Sequence, residues 1–594
     1  MKRFLITTAL EETWRVDEPV LFLGEWCQLY SRKERWAALD AEVLPYHWDD
    51  RAKLYDDYQY LKDFYERLLQ DLTVQLNQIH DVDHSLRYWR ILIGPWLGYF
   101  TQMLFDRWES IQQAVRQYDL SETIVLTGKD ETLVPNDMVD FSRLFVGDEW
   151  NHSLYAYILQ QFTSVNCIMQ SRQDWDEVPA VSREITWKWR AKRKLAAWYA
   201  CAASALTRHQ DAFFLATYLP LREEMRLHWR LGQVPQLWRS IPPIRVATDN
   251  SQRKWIVAGE SRTEFEACAR ALIPQQIPAV YLEGYDQLIG QTGSLPWPKQ
   301  PKVIWTSNSE SSDDVFKAWA AEKVEQECPL VVGQHGGHYG IGRWSFVEDH
   351  EVAISDLYLS WGWSEPRQPR IKPLCQWGSK RPLGIRHAAQ TDVLLVTAVI
   401  PRYSYFLYSF IVAGQWLDYL DDQYEFVECL PESIRSVLVV RLYAHDWEWD
   451  QVARWRDRFP EIRLDEGRTN IDGLIRQSRL YISTYNATTF LESFTMNVPT
   501  VIYWNQLHWE LRDSAIPYFE DLKRVGIFHE TPASAAHHVA AIWDDVDSWW
   551  ASPAVQKVLD RFKMRYCRQQ GDQLDRVEQI LREVMVVSDN TATR

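Results

Sequence analysis

Apolar positions along the chain follow two periods. Short runs of β-branched and aromatic residues stand at 4–8, 20–23, 121–127, 279–282, 303–306, 330–332 and 357–361. Such runs, closed by small or polar residues, predict strands. Elsewhere apolar residues recur every three or four positions. The stretch LYDDYQYLKDFYERLLQDLTVQLNQIH, beginning at residue 54, predicts one long amphipathic helix. Further helices are expected at 148–169 and 190–207, with a helical hairpin at 212–238. A helix-rich insert at about 50–240 therefore separates the opening strands from the next group. A helix at 312–325 between two strands gives the β-α-β alternation of a parallel sheet.

Residues 368–382 (QPRIKPLCQWGSKRP) carry three prolines and little periodicity, and read as a linker. A second alternating series follows. Strands are expected at 392–397, 436–443, 479–483 and 500–503, with helices at 404–421, 447–458 and 488–496. The tail, 554–584, reads as one charged amphipathic helix. The expected fold is α/β, with two Rossmann-like parallel sheets facing a cleft. Residues 1–378 would form the first domain, 385–550 the second, and 551–594 a terminal helix and tail. Ligands of such sheets bind beyond the carboxyl ends of the strands.

The length of 594 residues fits this division, since single cores stop growing near roughly 250–300 residues. A net charge of −16 makes general nucleic-acid binding a poor fit, because phosphate contacts need a basic face. The 31 Trp and 28 Tyr could stack on sugars, but aromatic rings more often pack inside. Eight cysteines stand singly with no CxxC pair, which fits reduced thiols in a cytosolic protein. The opening apolar run meets Glu11 and Glu12 at once, unlike a signal peptide. The most apolar stretch, 91–105, contains Pro95 and reads as a buried helix, with a membrane-surface role as the alternative.

Four motifs follow strands. Residues 333–340 (GQHGGHYG) hold four glycines in eight positions, which lets backbone N–H groups approach an anion. In this loop Gln334, Gly336 and Gly337 are candidate ligand contacts. His335 is a candidate hydrogen-bond donor or acid–base group, the alternative being a structural turn. Residues 483–492 (STYNATTFLE) follow a strand and open a helix. Ser483, Thr484, Asn486, Thr488 and Thr489 could hold a phosphate there, and Glu492 could meet ribose hydroxyls; simple capping is the alternative. Arg402 and His445 follow two further strands of the same unit. Glu25 follows the second strand, and PYHWDDR supplies Asp49 and Asp50. These carboxylates are candidate bases or nucleophiles, with helix capping the alternative for both aspartates. No metal-ligand pattern is evident: there is no HExxH, and no carboxylate or cysteine accompanies His335 and His338 in their loop.

The segments KRFLITTA, PVLFLGEWCQLY, PYHWDDR, RYWRILIGPWL, GQHGGHYG, DLYLSWGW, STYNATTFLE and NVPT resemble a family of transferases from bacterial O-antigen and surface-polysaccharide loci. The resemblance runs to about residue 530. More distantly, the QHGG loop and the ST…E helix look like those of capsule-type glycosyltransferases of the GT-B fold. In sialic-acid and Kdo transferases of that fold a His-Pro motif and a Ser/Thr pair hold CMP. The pair resembles Ser483-Thr484 here, whereas His445 precedes Asp446 and not proline, which opens the donor to UDP, GDP or dTDP. The resemblance implies a metal-independent glycosyltransferase with no bound cofactor. It would take a nucleotide-sugar, CMP-sugars being weakly favoured, to a glycan or lipid-linked glycan. The alternatives are a polyol-phosphate transferase of the teichoic-acid type and a non-catalytic carbohydrate-binding protein. The expected place is the cytoplasm, with peripheral contact at the inner membrane.

Overall fold

The computed structural model describes residues 2–128, 133–172, 203, 206–376, 392–569, 571 and 573–591. Most of the helix expected at 190–207, and residues 377–382 of the expected linker, lie outside these. The α/β class and two separate parallel sheets are present, but the expected linker begins too early: residues 371–373 are the edge strand of the sheet that precedes it, paired to 358–360.

The sheet after the linker contains β11 (Val393–Val396), β12 (Leu438–Arg441), β13 (Arg463–Asp465), β14 (Leu480–Ser483), β15 (Thr500–Tyr503) and β16 (Phe528–His529). Their spatial order is β13-β12-β11-β14-β15-β16, and every pair is parallel. Counted from β11 this is the doubly wound order 3-2-1-4-5-6. The chain reverses direction across the sheet between β11 and β14. The crevice at their carboxyl ends is therefore where a ligand belongs. Strands β11, β14 and β15 are buried throughout, as their unbroken Val, Leu and Ile runs require of a sheet covered on both faces.

The sheet before the linker runs in sequence order through β6 (Phe213–Leu215), β7 (Ile304–Thr306), β8 (Leu330–Gly333), β9 (Leu357–Ser360) and β10 (Ile371–Pro373), all parallel. The opening strands do not join it. β1 (Phe4–Ile6), β2 (Val20–Phe22) and β3 (Ala41–Val43) form a sheet of their own. A parallel bridge from Arg3 to Leu120 joins its β1 edge to the β4 (Glu122–Thr127) and β5 (Asn166–Ser171) pair.

The long helix α1 (Arg51–His80) and its neighbour α2 (Leu86–Gln117) explain the separation. α2 packs against α1, against α3 (Asp148–Phe162) beside the first sheet, and against α4 (Phe346–Ile354) and the helix Asp314–Glu325 beside the second. It is thus a shared layer between two sheets. The apolar stretch at 91–105 is its core: Ile91, Leu92, Trp96, Leu97, Phe100 and Leu104 are all fully buried. That face is packed inside the protein and is not a membrane surface. No helix among the described residues is long and apolar enough to cross a membrane. Trp26, Trp48, Trp89, Trp96, Trp305 and Trp416 are likewise internal, as the packing reading of the tryptophans expects.

Gly94 and Gly98, one helical turn apart on α2, let α4 approach. A Cβ at Gly98 would lie 1.8 Å from the Phe346 ring, and one at Gly94 2.9 Å from His350. Gly98→Val should therefore lower stability by about 1–3 kcal/mol through overpacking. Denaturant unfolding with an unchanged midpoint would contradict this packing.

Several expected elements differ. Residues 279–282 form a 3-10 turn (Ala279–Tyr281), not a strand. The helix expected at 148–169 ends at Phe162, and β5 follows. The hairpin expected at 212–238 holds β6 and one helix, Leu221–Arg230. The helix expected from 404 begins only at Gln415 and is α5 (Gln415–Cys429). The residues before it bind other parts of the protein. Arg107 Nη2 donates to the Ser404 carbonyl at 3.0 Å, Leu407 N to Gln102 Oε1 at 2.6 Å, and Tyr408 bridges Ser345. The tail is two helices, Pro553–Tyr566 and Gln573–Thr591. The second crosses back to the middle sheet, burying Val577 and Leu581 in one cluster with Phe214 and Trp305.

Candidate functional site

At the switch point β14 ends on Ser483. Thr484 donates to the Val396 carbonyl at 2.9 Å and its hydroxyl also meets that of Tyr419. It ties the ends of β11 and β14 together. Ser483 Oγ turns to the Tyr485 carbonyl at 3.3 Å. Both hydroxyls, read from the sequence as ligand contacts, are engaged within the protein.

The next residues differ. Asn486 is 1% exposed, and neither its amide nitrogen nor its amide oxygen has a hydrogen-bond partner. A buried unsatisfied amide is costly, so it marks a place where a ligand or water belongs. Helix α6 (Thr488–Thr495) starts from Ala487, which has no side chain to cap it. Thr488 and Thr489 are therefore not its caps. The first-turn N–H groups carry the positive end of the helix dipole into the crevice. Thr489 Oγ1 lies 3.5 Å from the Tyr485 hydroxyl, and Glu492 is half-buried one turn along.

The glycine loop meets this helix directly. Gly337 N donates to Thr488 Oγ1 at 3.1 Å. A Cβ at Gly337 would stand 2.5 Å from the Ala487 carbonyl carbon, so only glycine fits. The two motifs, from different sheets, thus share one crevice. Gly340, at φ +72°, donates its N–H to Glu348 Oε2 at 2.8 Å, and Glu348 pairs with Arg512 from the last third of the chain.

Gln334 is a brace and not a ligand contact. Its Nε2 donates to the Gly336 carbonyl at 2.7 Å, and its Oε1 accepts from Trp361 N at 2.9 Å and Trp363 Nε1 at 2.7 Å. His335 keeps 21% of its side chain exposed. Burial nonetheless lowers its pKa to about 4, with the Ser307 main chain offsetting part. It is neutral near pH 7, so it acts as a hydrogen-bonding or ligating imidazole and not as a cation. Tyr218, at φ +61°, stacks parallel to its ring at 6.4 Å.

Arg402 does not face a ligand. It is 2% exposed, pairs with Asp148 at 2.8 Å and with Glu448, and donates to the Trp26 carbonyl. It locks β11's loop to the first sheet. His445 is exposed, edge-on to Trp447 at 4.0 Å. The adjacent Asp446 caps the following turn, accepting from Asp450 N at 2.6 Å and Gln451 N at 2.9 Å.

Asp50 is the N-cap of α1, accepting from Ala52 N at 3.0 Å and Lys53 N at 3.1 Å, and so is not available as a base. Arg51 beside it clamps Glu510 through two bonds of 2.8 and 3.0 Å and reaches Gln415 at 3.0 Å. Asp49 accepts from Gln415 Nε2 at 3.2 Å. Glu25 packs beside Gly414, with its Cγ 3.1 Å from where a Cβ would stand. Burial raises the Glu25 pKa, Arg454 opposes, and Asp418 and Asp49 add to it. Glu25 and Asp49 therefore share one electrostatic environment at the start of α5. His335 belongs to another, with Glu310 and Glu351. Sequence reading missed those two carboxylates, which arrive from separate elements.

The fold defines an α/β protein whose candidate crevice lies at a sheet switch point. The sequence matches the LIC12162 family transferase model over residues 3–581, and the chain belongs to that family. No curated protein matches it. Among solved structures it is similar to the wall teichoic acid polymerase TagF soaked with CDPG (10% identity, 51% of this chain and 84% of that one, TM-score 0.28). It is similar also to Acinetobacter baumannii MurG (11%, 63% and 99%, TM-score 0.32). A third is the spinosyn rhamnosyltransferase SpnG with spinosyn aglycone (14%, 50% and 76%, TM-score 0.30).

Proposed function

We propose that the chain is a glycosyltransferase of GT-B type that moves a sugar from a nucleotide-sugar to a surface-polysaccharide or lipid-linked glycan. The observation that carries this is the uncapped start of α6 beside the unpaired Asn486 amide, at the switch point of a 3-2-1-4-5-6 sheet. A helix N-terminus with free N–H groups suits a phosphate. The donor phosphate would sit on the N–H groups of residues 488–490, with Asn486 and Thr489 as polar contacts and Glu492 toward the ribose. The helix field stabilises the leaving phosphate without a cation on it. Gly336 and Gly337 form the opposite wall, and His335 offers a neutral imidazole. Glu25, with Asp49 beside it, takes the acceptor proton; burial raises its pKa above the ordinary carboxylate value, which strengthens it as a base. A lipid-linked acceptor would be met by peripheral contact at the inner membrane. CMP is the first nucleotide to try, before UDP, GDP and dTDP.

Thermal-shift measurements with the four nucleotides test the donor site. A nucleotide at about 100 times its Kd adds roughly 2.7 kcal/mol to stability. One of the four should raise the melting temperature of the natural chain. Asn486→Ala and Glu492→Ala should weaken or abolish that rise while melting normally alone. No shift with any nucleotide, or full shifts in both variants, would refute the assignment.

A further inference from the structure

Three residues at the carboxyl end of the middle sheet have no part in the proposed donor site as ligands of a nucleotide. Glu310 follows β7, His335 follows β8, and Glu351 lies on α4. One donor atom from each lies within 4.8 Å of the others, the one such group of three among the described residues. β7 and β8 are adjacent in the sheet. Their carboxyl ends place the first two side chains together, and α4 returns over them with the third.

The carboxylate of Glu310 is the second observation. The residue is 1% exposed, and neither oxygen has a partner in good hydrogen-bond geometry; the Thr306 hydroxyl and the residue's own main-chain N–H lie near enough to offset only part of the cost of burial. Burying a carboxylate without a partner is among the most costly arrangements a protein can hold. The nearby ammonium of Lys317 relieves it only in part, being paired with Asp314 at 2.7 Å and bonded to the Tyr281 hydroxyl at 2.7 Å. Glu351 is 1% exposed and oriented by two phenols: Tyr339 donates to one oxygen at 3.0 Å and Tyr358 to the other at 3.2 Å. Outer hydrogen bonds of this sort fix metal-binding carboxylates. His335 Nδ1 stands 3.4 Å from Glu351 Oε1 without a hydrogen bond.

We propose that Glu310, His335 and Glu351 bind one divalent cation of borderline hardness, Zn²⁺ or Mn²⁺. Two carboxylates balance its charge, and the imidazole favours such ions over Mg²⁺ or Ca²⁺, which prefer all-oxygen shells. With bonds of about 2.1 Å, donor atoms around one tetrahedral ion lie about 3.4 Å apart, so spacings that all fall within 4.8 Å need to close by at most about 1.4 Å. Side-chain rotation supplies that. His335 is shared with the wall of the proposed crevice, but ion binding does not depend on the proposed reaction.

The full chain, stripped with a chelator and dialysed against ZnCl₂ or MnCl₂, should retain about one equivalent of one of these ions by mass spectrometry. Its melting temperature should rise with the ion. Glu310→Gln should lose both the ion and the rise. This variant removes a buried charge and keeps the side chain's shape. If it fails to fold, His335→Ala, at the partly exposed corner, gives the same reading. Metal content equal in the natural chain and the variants, or none in either, overturns the proposal. In the latter case the two carboxyls hold protons instead.

Discussion

Glu25→Gln should lower turnover by about 10²–10⁴, the usual loss for one positioned acid or base, while the nucleotide-induced rise in melting temperature is unchanged. Glu25 stands just after β2 in a 3-10 turn (Glu25–Cys27) and touches Gly414, where the loop after β11 enters α5. Its carboxyl is therefore at the seam between the first and third sheets. Burial, Asp418 and Asp49 all raise its pKa, and Arg454 is the chief opposing charge. Gln keeps the shape and removes the basicity. A turnover assay at substrate saturation measures kcat, and nucleotide titration measures the donor site separately. Full activity in Glu25→Gln with loss in Asp49→Asn would move the base to Asp49. Full activity in both would remove this seam from the chemistry. Activity of Glu25→Gln should not recover at higher pH, since the amide has no proton to lose.

Arg107→Met should destabilise the protein by about 3–5 kcal/mol, the range for removing one partner of a buried ion pair. The Arg107 side chain is 0% exposed. It binds Asp106 at 2.8 Å, Asn151 at 2.7 and 2.9 Å, and both the hydroxyl and the carbonyl of Ser404. One guanidinium thus holds α2, α3 and the loop after β11. Its loss leaves Asp106 with only His47 at 3.0 Å and Tyr46 at 2.6 Å. Burial alone would raise the Asp106 pKa, but the His47 bond and the Arg107 charge outweigh it and hold it at about 2. A carboxyl depressed in the folded state stabilises above its unfolded value, near 3.8, and that stability is lost as pH falls toward 2. The gap between Arg107→Met and the natural chain should therefore be widest above about pH 5 and narrow in acid. Denaturant midpoints taken from pH 7 to pH 3 measure it. A gap independent of pH would mean that lost packing, not the Asp106 charge, sets the cost.

The third sheet was the most legible part of the chain. Four of its strands, β11, β12, β14 and β15, come from apolar runs, and the run at 500–503 is β15 residue for residue; β13 (Arg463–Asp465) and β16 (Phe528–His529) carry no run to read. Periodicity also found α1 and the buried core of α2. It failed where tertiary contacts outweigh local pattern. The aromatic residues at 403–410 have helical spacing but are drawn out by Arg107, Gln102 and Ser345. β3 is three residues long and half exposed, too brief for a pattern. The opening strands read like members of the middle sheet because nothing local says that α2 will stand between them.

At the site, strand-end position pointed to residues 334–340 and 483–492, and the glycine loop does meet the α6 start. What it did not give was side-chain direction. Ser483, Thr484, Gln334 and Arg402 follow strands as ligand groups would, yet each faces protein. Asp50 took the capping alternative. Glu310 and Glu351 were invisible because each reaches His335 from another element, the first 25 positions earlier and the second 16 later.

The contact between Gly337 and Ala487 bears on how such a protein can change its donor. The spacing there is set by two backbones with no side chain between them. Arg402 and Arg51 each bury charge across the same seam, toward Asp148 and Glu510. Residues 392–530 therefore do not form a cassette that can be exchanged between relatives. A chimera that swaps them must carry matched partners at 51, 148 and 337, or it strands the Arg51 cation and the Asp148 carboxylate at the join. New specificities in this architecture should arise by point changes around Asn486 and Glu492, within a seam that stays fixed.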